Sequence, residues 1–252
     1  MCTVSILPTD TGFEVLHSRD ELRSRSAEIE PSWRALPNGL SASWPTDPDA
    51  GGTWVAVRED GFFLGLLNLN LSESQLAELA PNTPNATRSR GLVIPALIES
   101  TTLAVAIESL KAMDLLGMKP FRLILAAIED GQSRYSVARF DGVQLTIVTE
   151  LGAIKVPECW ASSGLGDALV QCRLPVFEQM VVDDPTPENQ RAFHWHQWAD
   201  RPQFSVMMSR ADARTSSVTT IVVESGKQPT VLYDPIAIGD AKCDPVGAGM
   251  LR

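Results

Sequence analysis

Four times along this chain a turn-forming stretch stands between two short apolar runs, and that repetition confines it to folds built from antiparallel hairpins. Cys2–Leu7 and Phe13–His17 meet across Thr9–Gly12. Thr53–Val57 and Phe62–Asn68 flank Glu59-Asp60-Gly61, while Tyr135–Phe140 and Val143–Val148 flank Asp141-Gly142. Ser217–Glu224 and Thr230–Tyr233 read as a closing hairpin, and Phe121–Ile128 as a further strand. Val4/Ile6, Val55/Val57 and Ile221/Val223 alternate as strands buried on at least one face do. Residues 31–52, rich in Pro, Gly, Asp and Ser, read as a long loop.

Helices stand between these β-rich parts. Leu92, Ile94, Leu97 and Ile98 suggest a short apolar helix confined by Pro95. A second has the apolar face Leu103, Ala106, Ile107, Leu110 and Met113, with Ser100 or Thr101 as its cap and Gly117 and Pro120 as its end. Thr186-Pro187 opens a third, expected to run to Trp198. The order β-rich, α, β-rich, α, β predicts α+β layers with antiparallel sheet.

Composition narrows the function classes. Lys plus Arg number 21 against 31 Asp plus Glu, a formal charge of −10 with no basic cluster, which argues against nucleic acid or an anionic membrane as partner. Apolar runs such as Leu123–Ile128 are far too short for membrane insertion. Cys2, Cys159, Cys172 and Cys243 form no CxxC pair, and the chain opens without a secretory pattern, so a reducing cytoplasm is expected. His194-Trp195-His196 with Trp198 is the one histidine cluster. On a helix its rings lie on different faces and no ligand cluster completes it, so no metal or other cofactor is expected. Gly51-Gly52 lacks a phosphate-binding pattern and reads as a close approach of the backbone to the N-terminus.

Cys2 carries the most chemical information. Aminopeptidases remove Met1 when the next side chain is small, leaving a thiol and a free α-amine on one residue. With a pKa of about 8, that amine is a base for the thiol. The alternative is a cysteine at the start of an edge strand with no chemical role. The first hairpin would carry Ser18-Arg19-Asp20-Glu21 back to the same sheet end. Arg19 there could lower the thiol pKa and hold a carbonyl or carboxylate, and Asp20 could orient the ammonium; a surface ion pair is the plainer alternative. Arg23, Arg25 and Arg34 either favour an anionic substrate or form a solvated face.

Met1-Cys2, Ser18-Arg19-Asp20-Glu21, Arg25, Gly51-Gly52-Thr53-Trp54, the strand ending at Asn68, and Arg90-Gly91-Leu92 occur in an order that resembles the NRDE family, also called the transport and Golgi organisation protein 2 family. The resemblance covers roughly residues 1–100 and thins beyond, where Ser163-Gly164-Leu165 and Arg214-Thr215-Ser216 still match. That family resembles N-terminal-nucleophile (Ntn) hydrolases of the penicillin V acylase and bile salt hydrolase type. The resemblance implies one domain over residues 1–252 with a four-layer αββα sandwich of antiparallel sheets. It also implies Cys2 as nucleophile with its α-amine as base, Arg19 and Asp20 beside them, Asn68 as an oxyanion donor and Arg214 as a second cation. Asn68 is equally a strand-end residue satisfying a turn.

Two positions depart from the family pattern. Ser18 stands where an Asn is usual, and Asp167 stands where an Asn often follows the Gly-Leu turn. An ionised carboxylate cannot donate to an oxyanion. Three functions follow: a cysteine Ntn hydrolase cleaving the C–N bond of a small acylated amide, a non-catalytic family member handling a hydrophobic ligand such as haem, or a structural domain with an inert thiol. A small molecule is the expected partner in the first two, and homo-oligomers stay open.

Overall fold

In a computed structural model describing residues 2–72, 74–75 and 87–236, the chain forms two antiparallel sheets face to face. The N-terminal hairpin is β1 (Cys2–Thr9) and β2 (Gly12–Leu22). It is followed by β3 (Ile29–Ala35), β4 (Ser41–Thr46), β5 (Val55–Arg58) and β6 (Phe63–Asn68). After two helices come β7 (Phe121–Glu129), β8 (Gln132–Phe140), β9 (Leu145–Ala153) and β10 (Glu158–Ala161). The last pair is β11 (Ala213–Glu224) and β12 (Thr230–Pro235). One sheet has the order β10-β1-β2-β11-β12, the other β3-β4-β5-β6-β7-β8-β9.

Period-two alternation assigns each strand residue to a layer. Val4 and Ile6 of β1, Val15 of β2 and Ile221 and Val223 of β11 meet Val55, Val57, Phe63, Ile124 and Ala126 of the other sheet. Leu64, Leu66, Leu123 and Leu125 point the other way and are covered by α1 (Val93–Leu97) and α2 (Leu103–Ala112). Leu7 on the back of β1 is covered by α3 (Arg173–Phe177), its π-helical extension Glu178–Val182, and α4 (Pro187–His194). The result is the expected αββα layering. No helix among the described residues is long and apolar enough to cross a membrane.

The chief departure from the sequence reading is at residues 31–52, where most of β3 and all of β4 replace much of the expected loop. β3 is an edge strand with largely exposed side chains, so it needs no apolar alternation, and its edge tolerates Pro31. Arg34 stacking 4.6 Å above Trp44 joins it to β4. The cap of α2 is Thr102, whose Oγ1 accepts the Val105 N–H at 3.1 Å, and the helix stops at Ala112, short of Gly117. α4 ends at His194 rather than Trp198, because the His194 ring is held against the sheet and the chain turns away at Trp195. The close approach expected of Gly52 is to Gly91: a Cβ on Gly52 would fall 2.7 Å from the Gly91 Cα.

Candidate active site

β1 and β2 bring Cys2 directly opposite Arg19. Both side chains face the inter-sheet space and are only 4% exposed. Asp20, the next residue, projects from the other face, where Thr215 Oγ1 donates to it at 2.6 Å and Arg173 lies 3.8 Å away. Alternation therefore puts the two neighbours on opposite faces of β2. Cys2, Arg19, Asp20 and Asn68 all line one cavity of about 460 Å³ at the sheet end. Arg214 lies on the far side of Arg19 in an adjoining cavity of about 260 Å³, and its guanidinium donates to the Ile236 carbonyl.

The Arg19 guanidinium is held on all sides. It contacts Glu21 and Glu28 at 3.0 Å each and Asp47 at 3.4 Å, and it lies 4.2 Å above the Trp54 ring. Three carboxylates around one arginine weaken the positive field it presents to the thiol. Burial pushes the Cys2 thiol above its ordinary range, and the opposing fields of the terminal ammonium and, more weakly, Arg19 do not offset it. Burial thus favours the protonated thiol, and a base that takes its proton as the bond forms assists nucleophilic attack.

The nitrogen of Cys2 is placed for that task. It donates to Ser162 Oγ at 3.0 Å, and the Ser162 N–H donates to the Cys2 carbonyl at 2.9 Å. Ser162 is fully buried just beyond β10, which pairs with β1. Nothing in the local sequence singles it out; only that pairing brings it to Cys2 across 160 positions. Asn68 ends β6 at the cavity wall, and its side-chain amide makes no hydrogen bond among the described residues.

The two departures from the family pattern lie away from the thiol. Asp167 accepts from Asn70 Nδ2 and the Ser163 N–H, each at 3.0 Å, and faces a third cavity. Its carboxylate clamps the turn whose Gly164 reaches the Cys2 cavity. Ser18 projects to the back of the sheet, where its Oγ lies 2.7 Å from His194 Nδ1; Ser5 Oγ lies 2.8 Å from Nε2 of the same ring. His194 thus ties α4 to β1 and β2. Among the described residues, no group of three or more His, Cys, Asp and Glu side chains is disposed to hold a metal ion. Of the four cysteines, Cys2, Cys159 and Cys172 are free thiols, and Cys243 lies outside the described residues.

His17 and His194 are fully buried, and burial pushes each ring from 6.5 down to about 3. The folded state holds them neutral, whereas the unfolded chain protonates them below about 6.5. Their contribution to stability is therefore complete above pH 6.5 and is lost as pH falls from 6.5 toward 3. The urea midpoint should decline across the upper part of that window, and less steeply in His194→Gln. A midpoint that stays level from about pH 6.5 to 4.5 would contradict neutral buried rings.

A family model described as Transport and Golgi organisation 2 matches residues 1–161. No curated protein matches the chain in sequence. Among solved structures, the Caenorhabditis elegans ortholog of N-acylethanolamine-hydrolyzing acid amidase is 12% identical with a TM-score of 0.51, covering 88% of this chain and 92% of that one. The C2A mutant of the conjugated bile acid hydrolase from Clostridium perfringens is 10% identical, with a TM-score of 0.49 and 92% of each chain covered. An Anbu mutant from Hyphomicrobium sp. strain MC1 is 7% identical at a TM-score of 0.46, covering 93% of this chain and 88% of that one. The likeness to the amidase shows a shared Ntn-hydrolase fold.

Proposed function

The chain belongs to the Transport and Golgi organisation 2 family, and from that premise we propose that it is a cysteine N-terminal-nucleophile hydrolase cleaving the C–N bond of a small acylated amide. The observation that carries the reading is the pairing at Cys2: a thiol facing the cavity and, on the same residue, a nitrogen held 3.0 Å from Ser162 Oγ. Loss of Met1 turns that nitrogen into an amine. The amine takes the thiol proton while sulfur attacks the amide carbon, and the carbonyl electrons collect on oxygen. Asn68 is the donor for that oxyanion, because its unengaged amide lines the cavity without carrying charge. Collapse breaks the C–N bond, and the ammonium returns its proton to the leaving amine. A thioester on Cys2 remains. Water, giving its proton to the amine, attacks the thioester, and the acid departs as the thiol re-forms.

Arg19 is a positioning residue in this scheme. Its three carboxylates and Trp54 fix the guanidinium opposite Cys2, where it shapes the cavity wall. Ser162 positions the base. The finding of three free thiols among the described residues supports a cytoplasmic setting as part of the same reading.

Intact-mass measurement tests the proposal. Protein expressed in bacteria should be short by one methionine, and incubation with a panel of N-acyl amides should leave a transient acyl adduct on Cys2. Active protein that retains Met1 would overturn the mechanism. No adduct and no product across the panel, together with tight binding of haem, would replace it with the carrier function.

A further inference from the structure

The charges around the Cys2 cavity do not cancel evenly. Its acidic lining is fully engaged: Asp20 with Thr215 and Arg173, Glu21 with Arg19, and Asp47 with both Arg19 and Arg25. Three of its five cations are likewise matched, since Arg19 has its three carboxylates, Arg25 has Asp47 and Asp49, and Arg210 has Asp212. Two remain. Arg90 is half-buried in the wall and makes no ion pair among the described residues, its guanidinium donating to the Pro120 carbonyl at 2.8 Å. Lys119 is exposed at the rim, also with no ion pair among the described residues.

A guanidinium held partly out of water with a single carbonyl partner leaves donors unused at a cost in solvation. Burial lowers the Arg90 pKa, yet arginine stays charged at any physiological pH. The acids whose fields act on it are the Cys2 thiol and Glu21, and Glu21 is already shared by Arg19 and the Leu22 N–H. The backbone fixes Arg90 where it is. The Thr53 N–H donates to the Gly91 carbonyl at 3.1 Å, and Gly52 and Gly91 touch so closely that Gly52 has no room for a Cβ and Gly91 little. This is a rigid cation facing the same space as the nucleophile.

Resting on the hydrolase reading above, we propose that Arg90, with Lys119 at the rim, forms the anion-binding end of the Cys2 cavity and that its ligand is an N-acyl amino acid bound through the carboxylate. An α-carboxylate lies two bonds from the amide nitrogen, so one compact molecule presents both the scissile carbonyl and the anion. A planar guanidinium matches a carboxylate with two parallel N–H donors. The cavity of about 460 Å³ has mixed lining, with Trp54 for a short acyl chain. Arg19 cannot take this role, because the three carboxylates around it repel an anion. The anion-binding role that the sequence suggested for Arg23, Arg25 and Arg34 passes to residues further along: Arg25 is neutralised, Arg23 is bound to Ser209 and the Arg210 carbonyl, and Arg34 stacks on Trp44.

The test pairs N-butyrylglycine with N-butyrylglycinamide, in which a neutral carboxamide of nearly the same shape replaces the carboxylate. Calorimetry on Cys2→Ala, which cannot turn either over, should show the acid binding at least about tenfold more tightly. Arg90→Gln in that background should bring the ratio of the two affinities toward one, and Arg90→Lys should restore part of it. Circular dichroism of each variant establishes folding. Equal affinities, or a preference that survives Arg90→Gln in folded protein, would overturn the proposal. Acylation of wild-type Cys2 by the neutral amide without any preference keeps the hydrolase and sinks the anion site. A preference with no acyl adduct from either compound supports the anion site and sinks the hydrolase.

Discussion

Replacing Arg173 with methionine should cost the folded protein about 3–5 kcal/mol, the range for removing one partner of a buried ion pair. Arg173 is completely buried behind the nucleophile strand. It donates to Thr3 Oγ1 at 2.6 Å and to the Phe204 carbonyl at 3.0 Å, and lies 3.8 Å from Asp20. Methionine fills much of the volume but leaves a carboxylate that is 2% exposed without its countercharge. Burial already raises the Asp20 pKa, and loss of the arginine raises it further. A folded-state pKa above the unfolded one means the folded variant binds the extra proton. Its deficit should therefore be smallest at acid pH and grow as pH rises through the raised pKa. Urea unfolding at several pH values measures both effects, and the second replacement Asp20→Leu should recover part of the loss. A deficit below about 1 kcal/mol at pH 7 would show that the pair is not what holds β1 and β2 against α3.

The second large effect is on turnover. Cys2→Ser should lower kcat/KM by at least about 10³ against whichever amide acylates the wild-type protein, while changing stability by less than about 1 kcal/mol. The substitution changes one atom in a site already packed, so the fold has little to lose. The chemistry loses more, because burial holds even the thiol above its ordinary range and a hydroxyl is a much weaker acid for the same amine. A serine variant retaining more than a tenth of wild-type turnover would remove Cys2 from the reaction.

These effects fall on different sides of one sheet. Cys2 and Arg19 face the cavity, whereas Thr3, Asp20 and Thr215 face Arg173. The back-side network packs β1 and β2 against α3, so Arg173→Met should act first on stability and Cys2→Ser on rate.

Local features were legible in the residues themselves. Turn chemistry at Thr9–Gly12, Asp60-Gly61 and Asp141-Gly142 marked the hairpins, because the backbone geometry of a tight turn is decided by the few residues within it. Alternation at Val4/Ile6 and Ile221/Val223 identified strands whose inward faces do share the inter-sheet core. The order of Met1-Cys2, Arg19 and Gly-Gly-Thr-Trp pointed to the family and, through it, to the layered fold. Tertiary structure decided the rest. β3 lacks an apolar pattern because an edge strand buries little, so only its pairing with β4 reveals it. Asp20 was set on the face opposite Arg19 by the pleat, and Arg214 was moved to the adjoining cavity by the register of β11 on β2. The charge on Arg19 was countered by Glu28 and Asp47 through loops folding over the sheet end, and Ser162 met Cys2 only because β10 pairs with β1. Propensity and periodicity act over a few neighbouring residues, whereas the charge, depth and partners of a side chain are settled by strands that meet across the whole chain.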